Sequence, residues 1–248
     1  MALEQRSYTR AAEGVGIDVG LRAYMLKVYN YMTTALLLTG LVAFFFGKAS
    51  IVTNDLGQIV GLTGIGNALF NSPLQWIVML APLGLVFYFS FKINTMSLST
   101  AQTTFWVFST LMGLSLASIF IVYTGASIAR VFFITSATFA AMSLYGYTTK
   151  RDLTALGGFL IMGLFGIIIA SIVNIFMQSS AMYFAISIIG VLIFVGLTAY
   201  DTQKIKNMYY AADSETQSGK KAIMGALRLY LDFINLFIML LRLFGQRR

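Results

Sequence analysis

Apolar runs long enough to cross a bilayer recur along this chain, separated by short polar stretches. A spanning helix needs roughly 20 predominantly apolar residues, and seven segments come near that length. They lie at about 26–46, 74–92, 102–123, 128–148, 153–176, 181–209 and 222–244. Six are continuously apolar, whereas the seventh is amphipathic and contains Arg228, Asp232, Asn235 and Arg242. The predicted fold class is all-α: a polytopic membrane helix bundle with seven transmembrane helices over 24–248. A polar, mixed-charge N-terminal tail at 1–23 precedes it and lacks a signal-peptide core.

The longest connection, 49–72, is rich in Gly and Asn and reads as a surface loop or a short interfacial helix. Pro73 is placed to open the second span, and Pro82 predicts a kink within it. Small residues at Gly113, Ala117, Gly158, Gly163 and Gly166 predict close helix packing. Trp76, Tyr88, Trp106, Tyr209 and Tyr210 fall near span ends, as an aromatic belt requires.

Composition agrees with a membrane solvent. The 248 residues are 58% hydrophobic and 10% charged, with a mean hydropathy of +0.80, where soluble domains average about 25% charged. The chain has no His and no Cys. That excludes His-based triads, HExxH zinc sites, haem with a His or Cys ligand and Cys-bound clusters. Any metal must be held by oxygen, which favours calcium or magnesium. No cofactor is expected, and residues 222–245 contain no lysine for a retinal Schiff base.

The net charge of +8 resides in loops and tails rather than on one basic helix, so no nucleic-acid partner is predicted. In a membrane protein these residues set orientation. Eleven (Arg6, Arg10, Arg22, Lys27, Lys92, Lys150, Arg151, Lys204, Lys206, Lys220, Lys221) fall on one side. Five (Lys48, Arg130, Arg242, Arg247, Arg248) fall on the other. The N-terminus is therefore predicted cytoplasmic. A re-entrant seventh segment would put the C-terminus on that side too.

The candidate chemistry lies in two aspartates inside apolar helices, Asp201 in IFVGLTAYDTQKIK and Asp232 in GALRLYLDFINLFIMLLRLFG. Carboxylates there are costly, so they face a bundle interior and mark function. If 211–221 joins two antiparallel helices, its midpoint is residue 216. Asp201 lies 15 residues before that point and Asp232 lies 16 after it. The two then sit at nearly equal depth, on the order of 15 Å from the loop. In contact they cannot both ionise cheaply and would share a proton. They are the candidate pH sensor, ion pathway and metal-contacting residues.

Four residues are candidate modulators. Arg228, one turn before Asp232, and Lys204, three after Asp201, are placed to pair with them. Asn235 is placed to hydrogen-bond, and Lys92 ends the second span as a snorkelling anchor or a latch. The bland alternative is that the aspartates merely pin the hairpin through Thr202, Gln203 or Asn235.

The stretches GLTAYDTQKIK at 196–206 and LRLYLDFINLFIMLLRLFG at 227–245 resemble the aspartate-bearing helices of the Bax-inhibitor membrane family, bacterial inner-membrane members included. The resemblance extends over about 20–245. It implies a seven-helix fold around a central helix, and a pH-sensitive calcium leak whose di-aspartyl sensor matches Asp201 and Asp232. It also implies an arginine near the cytoplasmic end of the second helix, where this chain offers only Lys92.

The expected function is a passive, pH-sensitive cation channel in a bacterial inner membrane, with the bilayer and calcium as partners. The alternative is a non-transporting regulator that binds a membrane protease or another membrane protein. No enzyme is expected. A rhomboid-type serine lacks its histidine, and Asp232 in YLDF lacks the GxGD pattern of membrane aspartyl proteases.

Overall fold

The computed structural model describes residues 19–55 and 58–248, and is almost wholly helical. Helix α1 (Val19–Ala49) leads into a two-stranded antiparallel hairpin, β1 (Ile51–Thr53) and β2 (Ile59–Leu62), and a short helix, α2 (Gly64–Phe70). Then follow α3 (Leu74–Lys92), α4 (Leu98–Leu116), a four-residue α5 (Ile119–Val122), α6 (Gly125–Thr148), α7 (Thr154–Met177), α8 (Ser180–Asn207) and α9 (Glu215–Phe244). Among the described residues, seven helical stretches are long and apolar enough to cross a membrane, with α4 and α5 together forming one of them.

Most of the expected tail, residues 1–18, lies outside the described residues, and 19–23 already belong to α1. The 49–72 connection contains both a hairpin and a helix. Thr63 caps that helix by accepting the Gly66 N–H. Pro82 sits buried inside an unbroken α3.

Helix α9 is the centre of the bundle. It packs on α1, α4, α6 and α8, while α3 leans on α4 and α7 on α8 at the periphery. In its most apolar stretch 72% of residues are buried, against 11% for α7. Polarity explains the placement. The span that carries an arginine, an aspartate and an asparagine would be the costliest to expose to lipid, so the continuously apolar helices enclose it.

Two expectations change, and the re-entrant alternative gives way to the seven spans expected. The seventh helix begins at Glu215 rather than 222, because Ser214 and Gln217 form a reciprocal capping box that starts a helix inside the polar stretch. It is not re-entrant. Lys220 near its start donates to the Asn94 carbonyl in the α3–α4 connection. At its far end Gln246 and Arg248 bond the backbone of Thr124 and Val122. It therefore runs the full height of the bundle. Finally, Gly158 and Gly166 face open space. In α7 the close approaches are at Gly157, against the Tyr200 ring, and Gly163, against Ile193.

Candidate functional site

The α8–α9 register is set by small residues. Met239 seats on Gly190 and Ile205 on Gly225, so a side chain at either glycine would collide with its partner. On the other flank of α8, Gly146 of α6 lies against the Ala199 backbone, too close for any Cβ. Helix α8 is thus clamped on both sides across the stretch that carries Asp201.

This register places Asp201 opposite the Arg228–Asp232 turn of α9. The two carboxyl groups lie close enough to act on each other. The hairpin is not symmetric: α8 stops at Asn207 while the first turns of α9 extend beyond it, and Lys221 reaches back to the Met208 carbonyl. The depth match therefore comes from the glycine contacts rather than from a centred loop.

Within the site the charges are unequally shared. Asp232 is buried, with 5% of its surface exposed, and its Oδ2 meets no donor among the described residues. Asp201 is partly buried, and its Oδ1 lies 3.5 Å from the Arg228 guanidinium. Arg228 therefore pairs across the helices, with its charge also acting on Asp232. Two ionised carboxylates offer only acceptors to each other, so their contact bonds only when a proton lies between them. The arrangement is one cation beside two acids, in a setting where a lone ionised acid would be costly.

The other candidates are placed around this pair or away from it. Lys204 contributes its charge to Asp201, but its amine lies 3.4 Å from the Tyr200 hydroxyl, over that ring. Asn235 donates to the Leu231 carbonyl on its own helix. Gln203 bonds Leu153 and Arg151 in the α6–α7 connection. Lys92 is exposed at the end of peripheral α3, and it is not among the charges that act on either aspartate.

Two hydrogen-bonded clusters were not legible beforehand. Thr202, next to Asp201, shares Ser143 of α6 with Tyr29 of α1 at 3.0 and 2.6 Å. Two residues before Asp232, the buried Tyr230 points its hydroxyl to Thr39 at 2.7 Å, and Thr39 donates to the Ser109 carbonyl. Uncharged polar residues are common in membrane helices, and nothing in their spacing singles these out. Among the described residues no group of three or more acids gathers to ligate a metal. A calcium ion at the pair would draw most of its six to eight oxygens from water and backbone.

A family model described as inhibitor of apoptosis-promoting Bax1 matches residues 21–248. The chain belongs to the Bax-inhibitor family. It is 50% identical over 243 residues to an uncharacterised protein of Rickettsia prowazekii, covering 98% of both chains. It is 49% identical over 231 residues to the inner membrane protein YbhL of Escherichia coli K12, covering 92% of this chain and 94% of that one. A Streptococcus pyogenes membrane protein is 35% identical over 235 residues, covering 92% and 95%. This Bax-inhibitor chain is accordingly an integral membrane protein, and the family is not a known enzyme family.

Proposed function

We propose that this Bax-inhibitor protein is a passive cation leak of a bacterial inner membrane, permeable to calcium and gated by protons at Asp201 and Asp232. The observation that carries the reading is the contact between a buried Asp232 with an undonated oxygen and an Asp201 already paired with Arg228. Such a group has few stable protonation states, and each asks for a different spacing of α8 and α9.

With one proton shared, Asp201 remains charged enough to hold Arg228, and the pair fastens α8 to α9. Falling pH adds a second proton, removes the anion that Arg228 faces, and frees the helices to separate. Flux therefore rises as pH falls. Arg228 supplies the cross-helix counter-charge, and Lys92 serves as a peripheral anchor. Lys204 adds a weaker field, while Asn235 braces α9. The inner-membrane relative of Escherichia coli supports the location, and the excess of basic residues on one side supports a cytoplasmic N-terminus.

The test is purified full-length protein in liposomes with an internal calcium dye, between pH 6 and 8. The expected result is calcium entry that increases severalfold towards pH 6, with Asp201→Asn leaking at every pH. Entry that ignores both pH and this substitution contradicts the reading. No entry at any pH returns the chain to the alternative, a regulator that acts by binding another membrane protein.

A further inference from the structure

At the end of the bundle away from the α8–α9 connection, a cavity of about 630 Å³ opens between the C-terminal end of α7, the start of α8 and the end of α9. It lies roughly 27 Å along α8 from Asp201, counted from Tyr183 at 1.5 Å per residue. Asn174, Gln178, Ser179, Tyr183, Arg242 and Arg247 line it, and no acidic residue does. Among the described residues the only ion pairs are Lys221–Asp213 and Arg228–Asp201, so neither cavity arginine is neutralised by a carboxylate.

Both guanidiniums lie against one aromatic ring. Arg242 and Arg247 lie 5.1 and 6.0 Å from the centre of the Tyr183 ring. The hydroxyls of Tyr123 and Tyr183 lie beside Arg247 and hold its pKa above the ordinary arginine value. The backbone around Arg247 pairs with Tyr123 and bonds Thr124, Val122 and Ser127. Two uncompensated arginines beside one tyrosine over a polar cavity suit an anion that takes forked hydrogen bonds, and phosphate does so.

The cavity's rim identifies the source of that phosphate. Ile175, Phe176 and Phe184 beside it are 68%, 83% and 59% exposed, on helices whose apolar surfaces face the bilayer. A phosphate seated on the arginines would carry attached acyl chains straight onto this apolar face.

We propose that the cavity binds a phosphate-bearing anion, and that an anionic phospholipid headgroup is its occupant. The site is independent of the aspartate pair and of whether the protein conducts ions.

The test uses the full-length protein in detergent, with native mass spectrometry after adding equal phosphatidylglycerol and phosphatidylcholine. A parallel arm measures thermal denaturation with inorganic phosphate. Arg247 is exposed, so Arg247→Gln keeps the fold. Ser180→Asp, at the first turn of α8, places a negative charge in the cavity where a helix start favours one. Phosphatidylglycerol should bind in preference, and either variant should weaken it by about tenfold, while the doubly substituted R242K/R247K, which keeps the charges but not the forks, should retain it only in part. Stabilisation by inorganic phosphate that both variants abolish, without any lipid preference, keeps the phosphate site and assigns it to a soluble anion. Lipid occupancy and phosphate stabilisation that are the same in wild type, R247Q and S180D overturn the proposal.

Discussion

Asp232 has no freedom to be an ordinary carboxylate. It is buried on the central helix, touches a second acid and has an oxygen without a donor, whereas Asp201 has both partial exposure and an arginine. The sequence marks both residues by their cost in an apolar helix. It does not say which would take Arg228, because the one-turn spacing within α9 points to Asp232 and only the packing of α8 brings Asp201 to it. Arg228→Gln is expected to raise calcium flux at pH 8 severalfold, towards the level of wild type at pH 6. Arg228→Lys should restore the low-flux state only in part, since an ammonium is a point charge without the planar fork. Liposome flux at fixed pH reads both, and wild-type behaviour in R228Q would remove the arginine from the mechanism. Tyr29→Phe gives up one hydrogen bond of the cluster beside Asp201, a loss of about 1 kcal/mol, visible as a lower melting temperature.

At the scale of elements, the site depends on how α8 lies on α9. The polar stretch 211–221 reads as a loop, yet much of it is helix, because Ser214 and Gln217 cap a new N-terminus there. Hydropathy locates spans by their apolar centres and is blind to helical turns that continue into water. The register was equally hidden, since which glycine meets which side chain is a property of the packed pair: Gly157 and Gly163 touch neighbours while Gly158 and Gly166 do not. Gly225→Leu drives a side chain into Ile205 and is expected to cost about 1–3 kcal/mol by overpacking. By displacing Asp201 from Asp232 it should also flatten the pH response, which a merely destabilising change would leave in place. Ser214→Ala removes the cap at a cost of about 1 kcal/mol with the pH response intact. Thermal denaturation and flux on the same preparations separate the two effects.

The whole molecule encloses its most polar span within its apolar ones, with α9 surrounded and α3 and α7 outermost. The number of spans, the all-α class and the amphipathic character of the last helix were legible because each is a matter of composition over some 20 residues. That the last helix crosses the full bundle required the contacts of its two ends, Lys220 with Asn94 and Arg248 with Val122. The chain contains no cysteine, so single cysteines report sidedness without background. Ala212→Cys should be labelled by an impermeant maleimide only after lysis, and Val60→Cys in intact spheroplasts; the reverse pattern would invert the orientation. The central claim is that Asp201 and Asp232 act as one proton-sharing unit, and a double-mutant cycle on pH-dependent calcium flux tests it most directly. The account predicts that D201N and D232N each abolish the pH dependence, and that the double variant behaves like either single one. Independent losses that add in the double variant, or a pH dependence that survives in both single variants, would contradict it.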